Sequence, residues 1–428
     1  MTLPASHPLR RALNEEVHAR PAEALITPCR ISYMAFLAED SERERAYAAV
    51  QSLSSQCAVT ASGGDMNHCV VDFGTHRLIW ERHTEFWRIT VIAPMTDADP
   101  FEPSALALLP PDWVAGLPGQ LIVAAHAAIV QDDERTLDFE DISTRCFAGH
   151  VLMGAQVAGR HALALTDFRL QADGFCRFWI ADRGLSPPQA GRTSQRLLEI
   201  ETYQTLALLA LPEARRVAPG LHVLEQKLRG INTALVNAEE VDEPILLDRL
   251  TDLAAEVEEL DTSTRYRFNA ANAYWALVQR RIGELREERI EGLQTLQEFI
   301  ERRVAPGLET CRSVAARQAG LGERVARATQ LLSTRVEITR ERQNTEVLAA
   351  MNRRAALQLR LQETVEGLSV AAMTYYFVGL IGYLTKGAKS FGLSVDPDKW
   401  TALAVPVVAA LGVLALQRAR RRLQRRIR

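Results

Sequence analysis

The densest store of reactive side chains is the stretch GGDMNHCVVDFGTHRLIWERHTEF, which offers Asp65, His68, Asp72, His76, Glu81, His83 and Glu85. Imidazoles and carboxylates could hold a divalent metal or exchange protons, provided three or four converge on one point. His68, Asp72, His76 and His83 are the candidate metal ligands. Their spacing works against convergence, because His76 and His83 differ by odd parity and face opposite sides of a strand unless a turn intervenes. The stretch therefore reads first as turn and surface polarity, with Trp80, Phe86 and Trp87 as core aromatics. The common catalytic templates, from G-x-x-x-x-G-K-[ST] to H-E-x-x-H and G-x-S-x-G, are missing. Cys29, Cys57, Cys69, Cys146, Cys176 and Cys311 form no C-x-x-C pair and read as small hydrophobes in a reducing compartment. No cofactor and no enzymatic activity are expected.

A second set of groups lies near the C-terminus. Ser369, Met373, Tyr376, Leu380 and Tyr383 fall along one helical stripe and could line a hydrated pore or pack against another helix. Beyond them only Asp396 and Asp398 offer acidic groups, beside Lys386, Lys389 and Lys399.

That stripe belongs to a membrane segment. Residues 367–385 and 400–417 contain no charged side chain. Each run spans roughly 27–29 Å as a helix, near the thickness of a bilayer's hydrocarbon core. Tyr383 and Trp400 are candidate interfacial anchors, whereas Tyr375 and Tyr376 sit too deep for that and could face a neighbouring helix. Arg418, Arg420, Arg421, Arg422, Arg425, Arg426 and Arg428 follow the second run and place the tail in the cytoplasm. Two spans return the chain to its starting side, so residues 1–366 are expected to be cytoplasmic and 386–399 to form an outer loop. The N-terminus has no apolar run and does not read as a signal peptide.

Residues 216–366 read as a long-helix stalk. Leu246, Leu250, Leu253, Val257 and Leu260 step by four and three, like a coiled-coil seam. The pattern resumes at Val278, Ile282, Leu285, Leu293, Leu296, Ile300 and Val304. One helix of roughly 60 residues is expected between the breaks at Pro244 and Pro306. The next helix meets no proline before residue 385 and runs into the first span, with apolar positions at Val325, Leu332, Val336, Val347, Leu357, Leu361 and Val365. Acidic clusters at 256–261 and 284–291 read as solvated pairs with nearby arginines.

Residues 1–215 read as an α+β domain in which β-α-β-β-β occurs twice. The first half has strands at 29–37, 69–73, 78–82 and 86–93 and a helix at 40–56. The second has strands at 121–130, 151–157, 162–166 and 175–180 and a helix at 133–146. A helix at 188–211 leads to the stalk. HPLRRALNEEVHARP reads as a docking segment in which Glu15 reaches His18, and TDFRLQADGF as a hairpin turn around Asp173 and Gly174. The chain thus divides into 1–215, 216–366 and 367–428.

Hydrophobic residues make up 47% of the 428 and charged residues 24%, enough for a full core. A net charge of -3 gives no footprint for nucleic acid. Only four of the 50 basic residues are lysine, so arginine abundance reads as codon usage and singles out no arginine before residue 360.

HPLRRALNEEVHARP, WERHTEF, TDFRLQADGF, RLLEIETYQTLALLALPEAR and QETVEGLSVAAMTYYFVGLIGYLTKG resemble a bacterial family, domain of unknown function 3422, over nearly the whole chain. The resemblance implies a membrane-anchored protein of the bacterial inner membrane with no assigned activity. The general layout is also similar to CorA-type magnesium channels, whose first span lines a pentameric pore. The Gly-Met-Asn signature of those channels is replaced by Tyr383-Leu384-Thr385-Lys386-Gly387, and lysines at a pore mouth repel cations. The leading expectation is a non-enzymatic scaffold or sensor, homo-oligomeric through its stalk and first span, with the bilayer as partner. A divergent cation channel is the alternative, and an enzyme using the histidine patch a third.

Overall fold

A computed structural model describes residues 6–11, 13–14, 23–57, 59, 61–65, 67–132, 137–237, 242–390 and 396–426. In chain order the first half of the sheet domain contributes β1 (Cys29–Leu37), α1 (Asp40–Gln56), β2 (Ala61–Asp65), β3 (His68–Asp72), β4 (Arg77–Arg82) and β5 (Phe86–Pro94). A short helix, α2 (Pro111–Ala115), leads to β6 (Gln120–Gln131), α3 (Phe139–Cys146), β7 (Met153–Val157), β8 (Ala162–Thr166) and β9 (Cys176–Asp182). Then come α4 (Pro187–Leu208), α5 (Ala210–Val236), α6 (Glu243–Leu285), β10 (Glu288–Arg289), α7 (Leu296–Arg303), α8 (Ala305–Ser390) and α9 (Pro397–Arg426).

The strands make a mixed sheet in the order β10-β7-β8-β9-β6-β1-β5-β4-β3-β2. The two halves meet at β1 and β6, which pair antiparallel. β5 closes antiparallel on β1, whereas β9 closes parallel on β6. The reason is a strand count. Hairpins alternate direction, and the first half has four strands after its helix where the second has three. The extra strand, β2, reads ASGGD and carries no apolar alternation, so the pattern-based reading passes over it. The expected helix at 133–146 begins only at Phe139, where Asp138 accepts from the Glu140 and Asp141 amides; residues 133–136 lie outside the description.

Side-chain alternation gives the sheet two faces. Trp80, Trp87, Ile89 and Val91 pack with Ala46, Val50 and Leu53 of α1. Ala128, Leu163, Leu165 and Trp179 pack with Ile142 and Cys146 of α3. The opposite face carries Tyr33, Arg88, Cys176 and Phe178, and α4 lies against it.

The stalk differs from the expected single helix. α6 stops at Leu285, Arg286 takes a left-handed backbone with φ 53°, and β10 then pairs with β7 at the sheet edge. Gly292, φ 81°, turns the chain back, and Thr295 caps α7 in a reciprocal box with Glu298. Pro306 does not end a helix; it sits in the first turn of α8. The seam residues Leu246, Leu250, Leu253 and Val257 are buried. Gln318 of α8 reaches Thr264 at 3.1 Å and Lys227 of α5 reaches Glu256 at 2.6 Å. The stripe of α6 is therefore covered by the chain's own α5 and α8.

Contacts divide the chain into two units, one of Met1–Asn237 with Ile245–Thr329, the other of Ala238–Pro244 with Gln330–Arg428.

Candidate functional site

The hairpin register puts Glu81 of β4 opposite Arg88 of β5 on the α4 face. Arg88 Nε donates to Glu81 Oε2 at 2.6 Å, and Nη2 reaches Glu199 Oε1 of α4 at 3.3 Å. Glu199 also accepts from Gln195 Nε2 at 2.8 Å and from Arg281 Nε of α6. Arg281 and Arg196 both donate to Glu284, at 2.9 and 3.1 Å. Six charges of alternating sign thus run from the sheet through α4 to α6. The Glu81, Arg88 and Glu199 side chains are 8%, 4% and 4% exposed. Burial opposes the charge on Glu81, but the Arg88 guanidinium and its hydrogen bond outweigh it and hold the carboxyl below its ordinary range. Burial likewise opposes Arg88, and Glu81 and Glu199 push it above its ordinary value instead. Each member strands its neighbour if removed, because the cost of burying an ion is met only by its partner.

Beside this relay is a cavity of about 50 Å³ lined by Tyr33, His68, Glu81, Arg88, Ser194 and Gln195, among others. It has room for a few water molecules and is far below the size of an ordinary cofactor site. Glu23 and Leu25 roof it. Leu25 N donates to Pro187 O, and the Glu23 carboxylate takes Arg77 at 2.8 Å. This strap needs Gly191, since a Cβ there would overlap the Glu23 carbonyl oxygen.

The histidine patch is dispersed rather than gathered. His68 lies opposite Glu81 at the cavity. Asp72 ends β3, and its carboxylate accepts from Gly74 N. His76 sits in the next turn, stacked on Phe73 at 4.6 Å, and burial lowers its pKa. His83 sits at the far end of β4, stacked on Phe86 at 4.2 Å. A six-residue strand, about 20 Å long, separates the last two. Among the described residues no group of three or more His, Cys, Asp or Glu is placed to hold a metal. Asp65 keeps its backbone place in β2, and Glu15 and His18 lie outside the described residues.

Two polar pairs in the second half were not legible beforehand. His150 Nδ1 lies 2.8 Å from the buried Asp167 Oδ2, which Gln171 also donates to at 2.7 Å. Cys176 Sγ lies 3.5 Å from Glu201 Oε1, and burial raises the pKa of that carboxyl. The relay arginines escaped notice for a plain reason: an arginine-rich composition gives Arg88 and Arg281 no distinction. The signal was in the sequence blocks themselves. In WERHTEF, Glu81 holds Arg88 and Glu85 takes Arg267 of α6 at 3.1 Å. In RLLEIETYQ, Arg196, Glu199, Glu201, Thr202 and Tyr203 all face the sheet or α6.

A family model that includes these blocks matches the chain over residues 5–423. The chain belongs to that family. Its description is Protein of unknown function (DUF3422). No curated protein and no solved structure matches the chain. In this DUF3422 member the blocks WERHTEF and RLLEIETYQ join the sheet to the long helices.

Two helices of the DUF3422 chain, α8 and α9, are long and apolar enough to cross a membrane, and their apolar windows are 0% buried. A Cβ on Gly382 of α8 would lie 3.5 Å from Thr401 Oγ1 of α9, and one on Gly412 of α9 would lie 3.2 Å from Val370 Cγ1. Val370, Thr374, Val378, Ile381 and Thr385 are half-buried on that side. Ser369, Met373, Tyr376, Leu380 and Tyr383 are all exposed on the other. Asp396 pairs with Lys399 at 3.4 Å, and Asp398 lies in the first turn of α9. α8 continues to Ser390, so Lys386 belongs to a helix and not to a loop.

Proposed function

We propose that this protein is anchored in a bacterial inner membrane by α8 and α9 as a two-helix hairpin, and that it works as a non-enzymatic scaffold or sensor. The observation that carries the reading is the bare apolar surface of both helices, with Leu368, Phe377, Leu380, Leu403 and Leu411 each more than half exposed. In water that surface is unfavourable by about 25 cal/mol per Å²; in lipid it is at home. The arginines from Arg418 onward support a cytoplasmic tail, and with an even number of spans a cytoplasmic sheet domain. The relay from Glu81 to Glu284 supports the sensing role, because it links the sheet to the long helices by fixed charges. Membrane fractionation tests the anchor: the full chain stays with the membrane after alkaline carbonate washing, and recovery in the soluble fraction without detergent overturns the reading.

A second reading, a divergent cation channel with CorA-like layout, draws on one observation: the hydroxyl-bearing Ser369, Tyr376 and Tyr383 share the open face of α8. Cation flux into liposomes carrying the full chain, abolished by Tyr376→Leu, supports it; no flux removes it.

A further inference from the structure

Where the β4–β5 turn meets α4 and α6, a cleft of about 500 Å³ stays open. It shares no lining residue with the small cavity beside the relay. Two stacked ring pairs line it. His83 lies on Phe86 with centroids 4.2 Å apart and planes 8° from parallel, and Tyr203 of α4 lies on Tyr274 of α6 at 5.9 Å and 17°. The turn that carries the first pair is tied to the helix that carries Tyr274. Glu85 accepts from Tyr266 Oη at 3.1 Å and from Arg267 Nη1 and Nη2 at 3.2 and 3.1 Å. The cleft is thus held in shape by contacts outside it. Side chains that only packed against one another would close the space to interior density. Here His83 and Tyr274 stay half-buried beside open volume.

The geometry points to a ligand site in this cleft for a flat heteroaromatic ring of nucleotide size, neutral or anionic. It stands apart from the membrane reading. The volume falls in the range of small-molecule sites. Aromatic side chains hold such a ring by stacking, whatever its exact identity, because every nucleobase presents a π-face. The Asn67 amide and the Thr84 hydroxyl also line the cleft, and each can both donate to and accept from the polar edge of a heterocycle. Charge narrows the choice. Among the described residues lining it there is no carboxylate, and Arg82 is the one formal charge. A divalent cation therefore finds no anionic oxygen to hold it. Burial raises the Tyr203 hydroxyl above its ordinary range, and burial with the Glu85 carboxylate does the same for Tyr274, so both rings are neutral at physiological pH and do not repel an anion. Leu277 is the one aliphatic side chain in the lining, too little to hold an acyl chain.

Calorimetric titration of the full chain with AMP, GMP, CMP and UMP, and with the matching nucleosides, tests the site. At least one of the four nucleotides binds with sub-millimolar affinity, one per chain. Tyr274→Leu keeps an apolar side chain but removes the stacking face, and weakens that binding at least about tenfold. Thr84 is exposed in the turn, so Thr84→Glu leaves the melting temperature unchanged and decides the matter even if Tyr274→Leu fails to fold. Its added carboxylate weakens binding of the nucleotide more than that of the nucleoside. Absence of binding by all four nucleotides at millimolar concentration overturns the inference, as does binding that Tyr274→Leu and Thr84→Glu leave unchanged. Binding of inorganic phosphate as tight as that of the nucleotide also overturns it, because stacking then contributes nothing.

Discussion

In α6 Leu246, Leu250, Leu253, Val257, Phe268, Trp275, Val278, Ile282 and Leu285 are buried, whereas in α8 only Leu332 is buried among Leu332, Val347, Leu357, Leu361 and Val365. The difference is in the neighbours. α6 is held by charged and polar ties from other elements: Glu85 to Arg267 at 3.1 Å, Glu256 to Lys227 at 2.6 Å and Asn272 to Arg312 at 3.0 Å. Past Val336, Arg342 of α8 pairs with Glu346 of the same helix at 3.4 Å. An amphipathic pattern states that a helix needs a cover; whether that cover is the same chain or another molecule depends on what the fold brings alongside.

The sharpest way to break this contrast is at the relay. Arg88→Met leaves Glu81 and Glu199 buried without their shared cation and costs about 3–5 kcal/mol, measured by denaturant unfolding of the full chain in detergent. Adding Glu81→Gln recovers part of that loss. Next comes Leu250→Ala in the covered stripe, a cavity-forming change in a fully buried site that costs about 3 kcal/mol in the same assay. Gly191→Ala costs about 1–3 kcal/mol, because the strap must move off α4. Hydrogen exchange localises that effect to residues 23–28; unchanged protection there refutes the latch role of Gly191.

A smaller effect is visible as a pH slope. Burial pushes Glu287, just beyond α6, up to about 7 from 4.5. Its folded value lies above its unfolded value, so its contribution is fully present below about pH 4.5 and lost as pH rises through 7. Glu287→Gln flattens unfolding stability across that window; an unchanged slope places the titration elsewhere. The smallest effect is Leu357→Ala in the bare stretch, expected to move stability of the single chain by less than about 0.5 kcal/mol. A large loss on unfolding a monomeric form shows that α8 is covered within its own chain.

The sequence alone placed the first helix, at 40–56, to the residue and most strands to within one or two, because alternation and turn residues are local signals. It also placed the two apolar C-terminal runs, since lack of charge over 18 residues needs no tertiary context. It did not foresee β2, whose glycines carry no pattern, or the break at Arg286, where a two-residue strand is worth forming only because the edge of β7 is there to receive it. Nor could it gather Glu81, Arg88, Glu199 and Arg281, which come from four elements up to 200 positions apart. Their partnership depends on which face of each strand and helix turns inward, and long-range packing fixes that.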